Sequence, residues 1–387
     1  MLDVRLNYLN PTRSLLLNAL TQFGEVHVFG PGYVNEQELS VGLTDFVKRN
    51  GPFGVLLATE HIANPSDFTK KSDVEVYRRN YSFQFPQSHL SYVNQIRREL
   101  VDVSIPRVAS LMETDVYRIS NAALSVLNRD FDLLISPFGP QFVRPMFQMP
   151  NLSREHFAQS CNDNWFDFVS SNPHKVVPIP HFVADSECSR RPFNERPHLL
   201  SVPGTPYYAR QVASASARSR GVSVAPSAVS LATKSLTRLG RPLGYRLQSG
   251  ILSARQRRFR AEIRSSRFSF TCGSALGQPL RKFFEIPGNA TVLLCEPFVG
   301  MEELGFVDGV NYFSVEPSEA WRLATSLDRS KSQWQCASDS GAELIASSHS
   351  VDARARQIRQ VLVALLERRL AGALWRDGVF EVVSRRN

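Results

Sequence analysis

Short apolar runs alternate with helical stretches twice over along this chain, and that alternation constrains its fold more than any other feature. Leu2, Val4, Leu6 and Tyr8 alternate as in a strand; Asn10 and Pro11 then supply an N-cap and a first-turn proline for a helix running to Phe23, which Gly24 ends. Glu25 to Phe29 reads as the next strand, Gly30-Pro31-Gly32 as a turn, and Glu36 to Arg49 as a helix leading through Gly51-Pro52 into the apolar run Gly54 to Thr59. Further strands fit Arg107 to Met112, Phe131 to Ser136 and Val176 to Pro178, with a helix from Val116 to Asn128. Strands that are apolar without interruption belong to parallel sheets covered on both faces, so this half is predicted to be a doubly wound α/β domain.

From Val183 to Pro197 the text turns polar and proline-punctuated, as an interdomain linker does. The same grammar then restarts. His198 to Val202 is a strand, Gly204 sits in the following turn, a helix covers Pro206 to Ser219, and Gly221 to Ala225 is a short strand. A basic helical region, Ser227 to Ser266, precedes the strand Phe268 to Cys272, a helix bearing Arg281, Lys282 and Glu285, and a buried strand from Thr291 to Cys295. Asn311 to Val315 is one more strand, and helices follow from Pro317, from Gln333 to Ser347 and from Val351, the last capped by Ser350. The expected division is 1–183, a linker at 184–197, 198–370 and a tail at 371–387.

At 387 residues and 43% hydrophobic content the chain is long enough for two cores. No segment has the roughly 18 to 20 uninterrupted apolar residues of a membrane span, and the N-terminus lacks an export signal, so a cytoplasmic protein is expected. The five cysteines show no metal or disulfide spacing and read as buried thiols. Net charge is +9, with thirteen Lys or Arg against the single acid Glu262 between Tyr207 and Arg267. Such a field attracts phosphorylated substrates, nucleic acid or an anionic membrane, and aromatics are not interleaved as in a single-strand groove. Walker loops, GxGxxG and GxSxG are absent, which argues against P-loop ATPases, simple dehydrogenases and serine hydrolases.

Two cations followed by a carboxylate one turn on, between a Gly-containing loop and an apolar strand, suit a ligand with both phosphate and ribose. Phosphate favours cations and helix N-termini, whereas ribose hydroxyls favour a carboxylate acceptor. The residues Arg281 to Gly288 (RKFFEIPG), the strand Val292 to Leu294, Glu302 to Phe306, Asp308 to Asn311, and His349-Ser350 with Arg354 resemble the family 1 group of GT-B glycosyltransferases, most closely its spore-maturation-protein-like branch. The resemblance covers about residues 265 to 365, with weaker echoes in Gly30 to Gly32, Ile105 to Arg107, Asp115 and Phe131 to Leu134.

That resemblance implies two Rossmann-like domains facing a cleft. It implies transfer of a sugar from a nucleotide-diphosphate sugar, held by the C-terminal domain, to a carbohydrate, lipid-linked or protein acceptor, with no metal and no further cofactor. Glu285 takes the ribose position, one of Arg281 and Lys282 faces the diphosphate, and Arg210, Gly204, Glu302 and Glu303 lie near the donor. Glu60, His61 and Asp115 follow strand ends and are the candidates for an acceptor base. Arg354, Arg356, Arg359, Arg368 and Arg369 could rest on an anionic membrane. This chain departs from relatives that carry a first glutamate eight positions before Glu285, where Gly277 stands, and from those with a double-glycine loop, where Val299-Gly300-Met301 stands. A catalytically silent binding or assembly protein of the same fold, and a basic nucleic-acid-binding α/β protein, are the alternatives; specific nucleic-acid binding is not expected.

Overall fold

In the computed structural model, residues 1–8, 10–63, 71–72, 74–75, 81, 83–114, 116–139, 161–227, 245–273 and 279–385 are described. The first sheet runs β1 (Leu56–Thr59), β2 (Arg107–Ser110), β3 (Leu133–Ser136) and β4 (Val176–Pro178) in that order, all parallel. The alternating N-terminal segment extends it. Leu2 bridges both Phe29 and Ala58 in parallel, with Leu2 N donating to Leu57 O (2.7 Å) and Thr59 N to Leu2 O (3.0 Å). Helices α1 (Thr12–Thr21), α2 (Glu36–Val41), α3 (Leu43–Asn50), α4 (Glu60–Ala63), α5 (Ser91–Leu100), α6 (Asn121–Asp130) and α7 (Asn164–Ser171) accompany it.

Two local expectations fail for reasons outside their own segments. The single helix expected over Glu36 to Arg49 breaks at Gly42, whose φ of 96° is left-handed. Glu99 lies against that glycine, 2.6 Å from where a Cβ would stand, and its Oε2 accepts from Leu43 N and from Thr44 N (3.3 Å), capping α3 from another helix. Asn10 does not cap α1. Pro11 holds the cap position with no side-chain bond, and the Asn10 amide donates to Glu113 instead.

The second sheet repeats the design, with β5 (His198–Ser201), β6 (Ser266–Thr271), β7 (Val292–Cys295) and β8 (Phe313–Ser314) in order and parallel. Val224 adds a parallel bridge to Leu200. Around it lie α8 (Tyr208–Ser219), α9 (Tyr245–Arg264), α10 (Lys282–Gly288), α11 (Ala320–Asp328) and α12 (Lys331–Ser348). All four residues of β1, β3 and β7 are buried, as continuous apolar strands covered on two faces must be.

The chain then crosses back. Helix α13 (Val351–Leu366) starts at Ser350, whose Oγ accepts from Ala353 N (3.2 Å), and buries Ala355, Ile358, Val361 and Leu362 in one core with Leu15, Leu16, Val108, Leu133 and Val177 of the first half. Each of its Ile, Val and Leu side chains removed from water contributes about 1.5–3 kcal/mol, so this helix belongs energetically to the first domain. The segment expected to be a tail folds as an antiparallel hairpin, β9 (Leu370–Arg376) and β10 (Val379–Ser384), turning at Asp377-Gly378 with both φ positive. Its Trp375 is buried and donates from Nε1 to Pro178 O (2.8 Å).

Arg354 is not available to a membrane. It is fully buried and donates to Pro180 O (3.2 Å), Ser348 O (2.9 Å) and His349 Nδ1 (2.7 Å), while Arg356, Arg359, Arg368 and Arg369 are exposed. The buried-thiol expectation holds for Cys272 and Cys295 only, since Cys161 and Cys188 are half-buried and Cys336 is exposed. Among the described residues no helix is long and apolar enough to cross a membrane.

Candidate functional site

The carboxyl edges of the two sheets meet. Phe182, just past β4, accepts from Arg281 Nε (3.2 Å) at the start of α10, and Asn7 Nδ2 donates to Tyr245 O (2.9 Å) at the start of α9. Open parallel sheets bind ligands at this edge, because loops there are free to vary while the strands fix their ends.

On the second sheet, the turn after β5 holds Gly204 at φ 96°, and α8 then brings Arg210 inward. Arg210 is buried and donates to Thr205 O (3.0 Å), Thr271 Oγ1 (3.0 Å) and Cys272 O (2.9 Å), with its guanidinium 5.2 Å from the Tyr207 ring centre. Its Nε meets no acceptor among the described residues. The Lys282 side chain lies across Gly204; a Cβ there would stand 2.2 Å from Lys282 Cε and 2.9 Å from Nζ. Burial and the neighbouring Arg210 push the Lys282 ammonium down to about 7. Among the described residues neither Arg210 nor Lys282 forms an ion pair, so two cations converge on one turn without an acid bonded to either.

Arg281 and Glu285 are arranged differently. Arg281 pairs with Glu285 one turn on and with Glu187 from the linker, and Glu187 also accepts from Arg260 (3.3 Å) and from Ala184 N (3.1 Å). All three members of the Arg281 triad are nearly buried. Glu285 therefore meets an arginine with Oε1, and Arg281 has its charge balanced twice over. Glu187 carried no sequence signal, since a glutamate in a polar linker is ordinary. Glu302 and Glu303 lie in a turn after β7, Glu302 exposed and Glu303 half-buried, and Gly378 N of the hairpin donates to Glu303 O (2.9 Å). They are not brought against Arg210 or Lys282 by any bond among the described residues.

On the first sheet, Arg13 Nε donates to Glu60 Oε1 (3.1 Å), and Arg13 Nη1 to Asp3 Oδ1 (3.0 Å). Asp3 also accepts from Thr59 Oγ1 (2.6 Å) and Tyr33 OH (2.8 Å). Glu60 is thus part of a buried ion network. His61 is buried too, stacked on Tyr8 with ring centres 5.7 Å apart, and burial holds its imidazole neutral well below its ordinary range. Asp115 lies outside the described residues, as does Gly277.

One carboxylate at this edge was not singled out from sequence. Glu113, in the loop after β2, accepts from Asn10 Nδ2 (2.7 Å) and is solvent-accessible. His349 and Arg354 are structural: the imidazole contacts Leu304 O (2.8 Å) through Nε2 and stacks on Trp375.

Gly204→Ala is the sharpest local test of this geometry. A left-handed φ costs a non-glycine residue about 1–2 kcal/mol, and the new methyl displaces Lys282. The expected outcome is a melting temperature a few degrees lower, read by scanning calorimetry, together with weaker binding of nucleoside diphosphates; an unchanged affinity would separate Lys282 from the ligand.

No family model matches the chain, and no curated protein matches it. Among solved structures it is similar to HepE of Anabaena, crystallised with UDP and glucose, at 10% identity and a TM-score of 0.51, over 94% of this chain and 98% of that one. It is also similar to sucrose-phosphate synthase of Thermosynechococcus elongatus, at 11% identity and a TM-score of 0.43, over 87% of this chain and 81% of that one. The likeness to HepE spans nearly the whole of both chains, and with the two parallel sheets meeting at their carboxyl edges it gives this chain the GT-B architecture of two Rossmann-like domains.

Proposed function

We propose that this chain is a glycosyltransferase that moves a sugar from a nucleoside-diphosphate sugar to a carbohydrate, lipid-linked or protein acceptor. The observation that carries this reading is the convergence of Arg210 and Lys282, neither in an ion pair among the described residues, on the Gly204 turn at the carboxyl edge of the second sheet. When the anomeric C–O bond breaks, its electron pair goes to the diphosphate, and two fixed cations there stabilise the developing charge more than they stabilise the bound donor. They supply charge that divalent ions supply in other diphosphate sites, so the reaction is read as metal-independent. Glu285 remains the candidate acceptor for ribose hydroxyls through the oxygen that Arg281 does not take. The spore-maturation-like branch rests on the sequence resemblance of Arg281 to Gly288, Val292 to Leu294, Glu302 to Phe306, Asp308 to Asn311 and His349-Ser350 with Arg354. The exposed arginines Arg356, Arg359, Arg368 and Arg369 support peripheral contact with an anionic membrane.

Thermal stabilisation by a panel of nucleoside diphosphates and nucleotide sugars tests the reading. A ligand bound only by the native state raises the melting temperature with its concentration relative to its dissociation constant. Selective stabilisation by one base, lost in Arg210→Ala, is the expected result. Stabilisation by none of them, or an equal shift in Arg210→Ala, rejects the site.

A further inference from the structure

A second concave site lies at the amino edge of the first sheet, the edge opposite the junction with the second. α1 and α13 pack side by side and end beside it, and α3 closes it where Gly54 leads into β1. Its volume is about 390 Å³, within the roughly 300–1,000 Å³ of small-molecule sites. Phe23, Val47, Phe53 and Val363 line it and keep part of their surface in solvent. Leu366 is 47% exposed and leans over Gly54, where a Cβ would stand 3.7 Å from its Cδ1. Water suits such walls poorly, because an ordered water needs about three hydrogen bonds and these side chains offer none.

The polar side chains in its wall are Glu25, His27 and Arg359. Glu25 and His27 are bonded to each other (2.9 Å), whereas Arg359 is exposed and forms no hydrogen bond or ion pair among the described residues. Arg356, Arg359, Val363 and Leu366 follow one another at helical spacing, which puts them on one stripe of α13. That stripe is cationic where it approaches the pocket and apolar where it enters it. A guanidinium at the mouth of a hydrocarbon pocket complements a ligand with an apolar tail and an anionic head, since its fork of donors matches a carboxylate or a phosphate.

We propose that this pocket holds the acyl chain of an anionic amphiphile, with the head group on Arg359. The tail displaces water from Phe23, Val47, Phe53 and Val363, and the head stays at the surface beside α13. Free carboxylates and bilayer lipids share this chemistry. The pocket is separate from the Gly204 turn, so its failure leaves the donor site standing; its success gives the exposed arginines of α13 a definite anchor at an anionic membrane.

Calorimetric titration of the whole chain with dodecanoate, kept below its micelle concentration, tests the site. One equivalent should bind and raise the melting temperature, whereas a surfactant that acts by unfolding lowers it. Along the series dodecanoate, decanoate, octanoate, each methylene removed should weaken binding about fourfold, the ratio that roughly 0.8 kcal/mol per buried methylene gives. Arg359→Glu should weaken dodecanoate about tenfold and leave dodecanol unchanged. Val363→Trp fills the pocket from a half-buried position and should abolish binding of both. Flotation with vesicles of phosphatidylglycerol and phosphatidylcholine then separates the sources. Capture prevented both by dodecanoate and by Val363→Trp assigns the chain to a bilayer lipid, and dodecanoate binding without capture assigns it to a free carboxylate. Absence of saturable dodecanoate binding overturns the proposal, and so does binding that ignores chain length or persists unchanged in Arg359→Glu. If Val363→Trp fails to fold, the chain-length series and Arg359→Glu decide.

Discussion

Arg13→Ala should destabilise the protein by about 3–5 kcal/mol, the cost of removing one member of a buried ion group and leaving its partners unpaired. Arg13 is held in α1 between Asp3 and Glu60, and all three are nearly inaccessible to solvent. Its guanidinium also lies 4.2 Å from the Tyr8 ring centre and bonds the Tyr8 hydroxyl, so the substitution loosens the aromatic cover over His61 as well. Two negative charges would remain without a cation in a space shut to water. Denaturant unfolding reads the loss directly. The double substitution Arg13→Ala with Glu60→Gln should recover part of it, because one stranded charge is gone and the interaction energy of the pair appears as non-additivity. Simple additivity of the two changes would show that the network carries no coupling.

That network explains why a correct placement from sequence led to a different role. Glu60 and His61 were expected at a strand end because Gly54 to Thr59 is an uninterrupted apolar run, and β1 does end at Thr59. What sequence could not show is that Asp3 and Arg13, from the first strand-like segment and the first helix, close over the same strand end. Strand positions are written in local hydrophobicity, whereas the partners of a charge depend on which segments the sheet order sets side by side. The Leu2 segment lies between Phe29 and β1, and only that order brings Asp3 to Thr59 and Arg13 to Glu60.

The same distinction runs through the other elements. Each parallel strand of the two sheets was legible as an apolar run, and Ser350 as the cap of the long C-terminal helix was legible from its hydroxyl and the sequence after it. The break at Gly42 was not, since Glu99 imposes it from α5. The C-terminal hairpin carries a usable local signal in Asp377-Gly378 between Leu370–Arg376 and Val379–Ser384, a dipeptide suited to a two-residue turn with positive φ. Around the donor site, the spacing of Arg281 and Glu285 announced an ion pair one turn apart, but Glu187 on the opposite side of Arg281 had no local mark. Glu113 is legible only once β2 is seen to end beside Asn10.

Lys282 makes the donor site sensitive to pH, and the sign can be worked out. Its ammonium ionises near 7 in the unliganded protein, because burial and Arg210 disfavour the charged form, with Arg281 adding to this and Glu285 and Cys272 opposing it. An unfolded lysine ionises near 10.4, so the folded protein binds fewer protons between these values and its stability rises with pH across that window; below about 7 the full cost of the buried cation is present. A bound diphosphate reverses the preference, since its negative charge favours the protonated lysine. Binding then takes up a proton above pH 7, and affinity falls by at most tenfold per pH unit, so between pH 7 and 9 the dissociation constant should rise by up to about 100-fold. The second ionisation of a phosphate, near 6, is essentially complete over this range and works little in either direction. Titration calorimetry on Lys282→Met should show weak binding and no such slope. A steep slope that survives in Lys282→Met, or a wild-type affinity independent of pH from 7 to 9, would mean that the diphosphate does not meet Lys282.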